Sequence, residues 1–222
     1  AALRRVLGPG PAIHVFSGHM EGDAAALAGS DLIPLLNSAE QAARHFAALP
    51  GQPFGVQLDS GMNRLGMEPG DFAALRDRIA EARPRLLLSH LACADDPDHA
   101  MNAVQLRCFA AMTQGLDAPR SLAATGGTLL GSAFHFELCR PGIGLYGGRP
   151  YGAAQAVVQV SVPVIQTRTV AAGEPVGYGA TWTAPRDSII ATVAVGYADG
   201  FTRHLSNAAT LWAGARACPL VG

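Results

Sequence analysis

Lysine is missing from this chain altogether. All sixteen basic residues among its 222 are arginine. A GC-rich genome explains such a bias, yet a chemical consequence stands. No side chain here offers the amine that condenses with an aldehyde cofactor. A charge excess is also missing: the formal net charge is −1, so no basic surface argues for nucleic acid. No apolar run is long enough to span a bilayer. Ala1-Ala2-Leu3-Arg4-Arg5 is not followed by the apolar core of a signal peptide. Cysteine is sparse, at positions 93, 108, 139 and 218, with no Cys-x-x-Cys pair. These residues read as buried free thiols of a reduced, cytoplasmic protein.

What is present is ordinary globular material, 49% hydrophobic and 15% charged, enough for one large domain or one and a half average ones. Short apolar runs at 12–16, 32–36, 54–58, 85–89, 121–123 and 137–140 read as strands. Helical stretches lie between them, at 18–29, from Asn37 or Ser38 to about Leu49, at 71–82 and at 100–112. Pro34 is a mild objection to the second strand. The alternation is the βα rhythm of a parallel sheet or a (β/α)8 TIM-type barrel. Six strands are countable where a closed barrel needs eight, so the N-terminal strands are expected to be missing from a longer protein. Beyond Tyr151-Gly152 helices cease, and Val-rich runs with glycine turns predict an all-β domain that also stops abruptly. The expected domains are 1–152, a partial barrel, and 153–222, a partial β domain.

Polar and glycine-rich residues gather just after the barrel strands, on the rim where such folds place their sites. Arg64, in Asp59-Ser-Gly-Met-Asn-Arg-Leu-Gly66, suits a bidentate grip on a carboxylate or phosphate, or else a salt bridge with Asp59. His90 stands at a strand end, ready to stack on a flat ring or to be a satisfied rim histidine. The cluster from His90 to His99 matches no standard metal loop. Its acids more simply precede a helix, so no metal is expected. Thr125-Gly-Gly-Thr128 and Pro141-Gly142-Ile143-Gly144 offer backbone amides and a hydroxyl as a phosphate cradle. Arg140 precedes the second of these. It is placed to face a pyridine nitrogen and keep it unprotonated, or to pair with Glu137 or Asp199. Tyr178 lies between two glycines in Val176-Gly-Tyr-Gly-Ala-Thr-Trp182, which leaves its phenol uncovered for acid–base work or simply marks the edge of a hairpin.

Together the segments 58–66, Arg140-Pro-Gly-Ile-Gly-Leu-Tyr-Gly147, 176–182 and Gly196-Tyr-Ala-Asp-Gly200 resemble the alanine racemase family, in that family's order. Ser89-His-Leu-Ala-Cys-Ala-Asp95 falls where its histidine belongs, and the similarity spans essentially the whole chain. The resemblance implies a pyridoxal 5′-phosphate enzyme with a barrel and a β domain. It would act as a head-to-tail homodimer that racemises alanine by two bases and supplies D-alanine for peptidoglycan. It implies that Arg140 faces the pyridine nitrogen and that His90 supports it. Thr125, Gly142 and Ile143 would hold the phosphate. Arg64 would pair with the substrate carboxylate, Tyr178 would be the catalytic acid/base on the partner subunit's cofactor, and Tyr197 would line the entrance. Three departures stand out. The family's lysine is absent, Ala124-Thr125 replaces the usual Asn-Ser, and Gln57 stands where some members carry a modified lysine, free to bond Arg64. A non-catalytic cofactor-binding paralogue and a broad-specificity amino-acid racemase are the rival readings. A pyridoxal-phosphate decarboxylase or aldolase fits the Tyr178 and Arg140 motifs less well.

Overall fold

A computed structural model describes residues 1–221 and divides into two compact units, 1–158 and 159–222. The first unit is built on five parallel strands in sequential order: β1 (Ile13–Val15), β2 (Leu32–Leu36), β3 (Gly55–Gln57), β4 (Leu87–Leu88) and β5 (Arg120–Ser121). Consecutive parallel strands need crossovers. These are α2 (Ala24–Gly29), α3 (Ala39–Ala48), α4 (Pro69–Glu81) and α5 (Ala100–Thr113), with α1 (Ala2–Leu7) ahead of β1. The Ser38 hydroxyl caps α3 by accepting from the Gln41 amide, as a side-chain oxygen at that position should. Pro34 stays in β2 opposite Val15, and pairing with β3 begins only at Leu35. The donor that proline lacks therefore falls before that ladder starts.

Strands β2 to β4 are buried on both faces over most of their length, which explains why they read as continuous apolar runs. Successive residues point to opposite sides. Leu36, Val56, Leu58, Leu87 and Leu122 pack toward Phe72, Ile79 and Phe109 of the helices, while Leu35, Leu86 and Leu88 form a second cluster. The expected sixth strand, 137–140, is not a regular one. Ala124 and Arg140 make an isolated parallel bridge, with Leu138 N donating to Arg120 O (3.1 Å) and Arg140 N to Ala123 O (2.8 Å). Between those bonds the Ser121 hydroxyl donates to Leu138 O (2.7 Å). A side chain thus takes a place that a regular ladder gives to an amide. Residues 125–129 form a short helix, α6 (Thr125–Leu129), despite two glycines of low helix propensity. The four cysteines are free, but half-buried rather than buried.

In the second unit β6 (Val164–Val170) pairs antiparallel with β9 (Ser188–Val193). Two smaller ladders join β7 (Pro175–Val176) to β8 (Trp182–Thr183) and β10 (Thr210–Ala213) to β11 (Arg216–Pro219). The valine-rich stretch before Val164 carries no strand, so the β runs expected beyond Gly152 begin only at Val164.

Candidate active site

The rim of the first unit is organised by side chains that bind backbone. Asp59 Oδ1 accepts from the Gly61 and Met62 amides, each at 2.8 Å, and Oδ2 accepts from the Arg64 amide at 3.2 Å. Its charge shapes the loop and makes no salt bridge with the Arg64 guanidinium, which has no hydrogen bond or ion pair among the described residues. The expected bond from Gln57 to Arg64 is also absent. Gln57 Nε2 donates to Leu65 O (3.0 Å), and its Oε1 is buried without a partner.

Arg140 occupies the centre. It donates to Ser121 Oγ, to Ser89 O at 2.7 Å, to Leu122 O at 3.4 Å and to His90 Nδ1 at 3.2 Å. Arginine has no lone pair to offer, so His90 Nδ1 accepts and the imidazole hydrogen sits on Nε2. Among the described residues of the first unit no carboxylate reaches Arg140: Glu137, one partner that sequence left open, is held by Arg120 at 2.7 Å. Asp199, the other, belongs to the second unit, where its Oδ2 accepts from the Gly196 amide at 3.0 Å. Burial pulls the Arg140 pKa down to about 10, which leaves the group charged at neutral pH. Burial, then the charges of Arg140 and Arg64, lower that of His90 and keep it neutral.

Thr125 is buried at the start of α6, and its Oγ1 accepts from the Gly142 and Gly144 amides, both at 3.1 Å. Two donors into one oxygen leave the hydroxyl hydrogen free to point at an anion. A Cβ at Gly144 would sit 2.7 Å from Thr125 Cγ2, so the two segments close only around glycine. Ile143 opens a one-turn helix, Ile143–Tyr146, with its side chain largely exposed. Met62, His90, Ala124, Gly126 and Gly127 share one cleft of ≈ 230 Å³.

Tyr178 and Tyr197 belong to the second unit. Tyr178 lies at the tip of the β7–β8 hairpin, where Val176 faces Trp182, and it is 83% exposed. Gly177 and Gly179 on either side have φ of 80° and 72°, values that glycine alone adopts at no steric cost. The hairpin and the presented phenol are thus one and the same geometry. Tyr197 is 73% exposed in a turn that ends at Gly200.

Sequence reasoning passed over four buried polar residues behind this rim: Ser60, Ser89, Gln105 and Ser121. The available signal was a glutamine on the apolar face of α5, within Val104-Gln105-Leu106. The serines carried none. Among the described residues no group of three or more His, Cys, Asp or Glu could hold a metal ion. No helix there is long and apolar enough to cross a membrane.

A parallel βα sheet whose rim ties Thr125 to the 142–144 segment beside a half-buried arginine, followed in sequence by a β-rich unit, defines a barrel-plus-β-domain class of protein. Within it, family models match at residues 1–150 (alanine racemase, N-terminal domain) and 157–222 (alanine racemase, C-terminal domain). The chain belongs to the alanine racemase family. It is 65% identical over 222 residues to alanine racemase of Cereibacter sphaeroides strain ATCC 17029, covering 100% of this chain and 64% of that protein. With the one from Dinoroseobacter shibae it shares 61% over 220 residues, or 99% of this chain and 63% of the other. The chain thus spans under two thirds of the length of these relatives. Among solved structures, alanine racemase from Bartonella henselae with covalently bound pyridoxal phosphate superposes with a TM-score of 0.87 at 36% identity, covering 99% of this chain and 65% of that one. Histidine racemase from Leuconostoc mesenteroides has a TM-score of 0.72 at 23% identity, over 95% and 62% of the two chains, a likeness of fold alone.

Proposed function

We propose that this chain is the arginine- and tyrosine-bearing portion of a pyridoxal 5′-phosphate-dependent alanine racemase, which interconverts L- and D-alanine. One observation carries the reading: a cationic Arg140, paired with a neutral His90 and with no described carboxylate of the first unit against it, next to the Thr125 cradle. The residues fit that cofactor. Thr125 keeps a hydroxyl hydrogen for a phosphate, with the Gly142 and Ile143 segment beside it. Arg140 keeps N–H groups unspent by Ser121, Ser89 and His90 for a ring nitrogen that stays unprotonated. When bound, the cofactor supplies a conjugated ring that acidifies the substrate's α-C–H bond.

The chain's own groups divide the remaining work. The unpaired Arg64 orients the substrate carboxylate by a forked contact. The Tyr178 phenol takes or returns a proton at one face of the α-carbon, in the site of a second subunit of a homodimer. Tyr197 lines the entrance. A lysine would serve the opposite face, and this chain contains none. The boundary between cofactor and β domains is placed near residues 152–153, and the protein is assigned to the cytoplasm, where its D-alanine feeds cell-wall synthesis. The absence of lysine also motivates a second reading, a non-catalytic paralogue that binds the cofactor only.

Both readings meet one test. The chain alone, mixed with pyridoxal 5′-phosphate and L-alanine, should form no D-alanine beyond the free-cofactor background. Joined to a lysine-bearing barrel segment it should exchange the enantiomers, followed by circular dichroism. Tyr178→Phe should then slow that exchange by about 10²–10⁴-fold, as loss of a positioned acid–base group does. A joined protein that binds cofactor but exchanges nothing supports the paralogue.

A further inference from the structure

The buried face of α5 is unusually polar. Asn102, Gln105 and Thr113 lie on it beside Phe109, and all four are buried. A buried amide costs roughly 1–3 kcal/mol if left unpaired, so each needs a partner, and those of Gln105 are all in the rim. Its Oε1 accepts from the Ala92 amide at 2.8 Å, and its Nε2 donates to His90 O at 2.9 Å and to Ser60 Oγ at 3.4 Å. One carboxamide thereby grips both ends of the 90–92 turn and the start of the loop that carries Arg64. From Ser60 the connection continues. Ser60 Oγ and Ser89 Oγ are 2.7 Å apart, and Ser89 O accepts from Arg140. Arg140 then donates to Ser121, whose hydroxyl bonds Leu138 O. Hydrogen bonds at the two ends of Ser89, its hydroxyl on Ser60 and its carbonyl on Arg140, thus connect a helix behind the sheet to the guanidinium at the rim.

We propose that Gln105 is a positioning residue of this site, and that its carboxamide sets where His90 stands against Arg140 and keeps the Arg64 loop in register with both. The inference rests on the cofactor reading given above. Gln105 touches neither substrate nor ring. It acts through the backbone at His90 and Ala92 and through the Ser60–Ser89 pair. A leucine at 105 would fill the helix–sheet gap, but it would leave one amide and one carbonyl of the turn without partners. The outer hydrogen-bond partners that orient metal-binding side chains typically matter by about 10–100-fold in affinity or activity, and Gln105 stands in the same relation to His90 and Arg140.

The test uses the chain with pyridoxamine 5′-phosphate, which needs no lysine, and follows its fluorescence on binding together with the ¹⁵N shifts of the His90 ring. Arg140 and Arg64 bear on that ring as cations, and Asp95 shares its cleft. In the unaltered chain His90 should be the neutral Nε2–H form, titrating below 6.5. Gln105→Met and Gln105→Leu should weaken binding about tenfold or more, move the His90 titration up toward 6.5 and blur its tautomer. Thr113→Val breaks another buried bond of the same helix, from Thr113 Oγ1 to Phe109 O. It should lower stability and leave both readouts in place. If either position-105 variant folds poorly, Ser60→Ala cuts the same connection with a smaller change and should give the same shifts at reduced size. Unchanged His90 behaviour in the folded variants, or an equal change in Thr113→Val, overturns the proposal. A chain that binds no pyridoxamine 5′-phosphate overturns the cofactor reading instead, while the His90 shifts still report on Gln105.

Discussion

Thr125 shows how far one residue's hydrogen-bonding inventory constrains its role. Its oxygen takes two amides from the 142–144 segment, so the side chain both ties that segment to α6 and retains one hydrogen to give. Thr125→Val keeps the shape and removes both. We expect it to weaken pyridoxamine 5′-phosphate by about tenfold, the value of a charge-assisted hydrogen bond of about 1.5 kcal/mol. Pyridoxamine lacking the phosphate should bind the two forms alike, by fluorescence titration. The sequence showed Thr125, Arg140 and His90 as candidates because each stands at or just after the end of a strand run. It could not show that Asp59 would spend both oxygens on backbone, nor that Glu137 would choose Arg120. Such choices between neighbouring partners depend on a few ångströms that spacing does not encode. Gln105 and Ser121 were missed for a related reason. A buried polar residue looks like an error in an apolar pattern until its partners are placed.

At the scale of elements, periodicity served well wherever burial was uniform. The run Leu86-Leu87-Leu88 was legible as a strand, and it is apolar throughout because Leu87 packs in the helix-side core while Leu86 and Leu88 belong to the second cluster. Helix α5 was placed nearly to its ends. The failure came where tertiary context overrides local preference: 137–140 loses regularity because Ser121 bonds into it. Phe109 is a large packing point between helices and sheet, fully buried and edge-on to Phe136 at 5.1 Å and 88°. Phe109→Ala should cost about 3–5 kcal/mol, read as a lowered denaturant midpoint with an unchanged slope.

For the whole molecule, four histidines are held neutral by burial. His14, His19, His45 and His90 all have pKa values lowered from 6.5, with loss of hydration the largest cause. A folded pKa below the unfolded one means that the unfolded chain binds more protons below pH 6.5, so stability falls as pH drops through that value. Each such group contributes at most about 1.4 kcal/mol per pH unit. His19 and His45 sharpen this, because their Nδ1 atoms lie 3.2 Å apart and His45 Nε2 is 3.3 Å from Gln52 O. One hydrogen fits between those two nitrogens and two do not. Urea denaturation from pH 7 to 5 should therefore show a declining midpoint, and His45→Phe, set among Phe46 and Phe54, should flatten the decline. A slope unaffected by that replacement would remove His45 from the account. Long-range fields contribute little, since the formal net charge is −1. That isolates one local consequence of the Asp59 loop. Its acid is engaged by three neutral amides at hydrogen-bond distance, contacts that ionic strength barely screens, whereas a carboxylate held by the exposed Arg64 is screened over about 8 Å at physiological salt. Added sodium chloride should thus loosen the grip on an amino-acid carboxylate while the loop keeps its form, so that an electrolyte series tells recognition apart from architecture without altering a single residue.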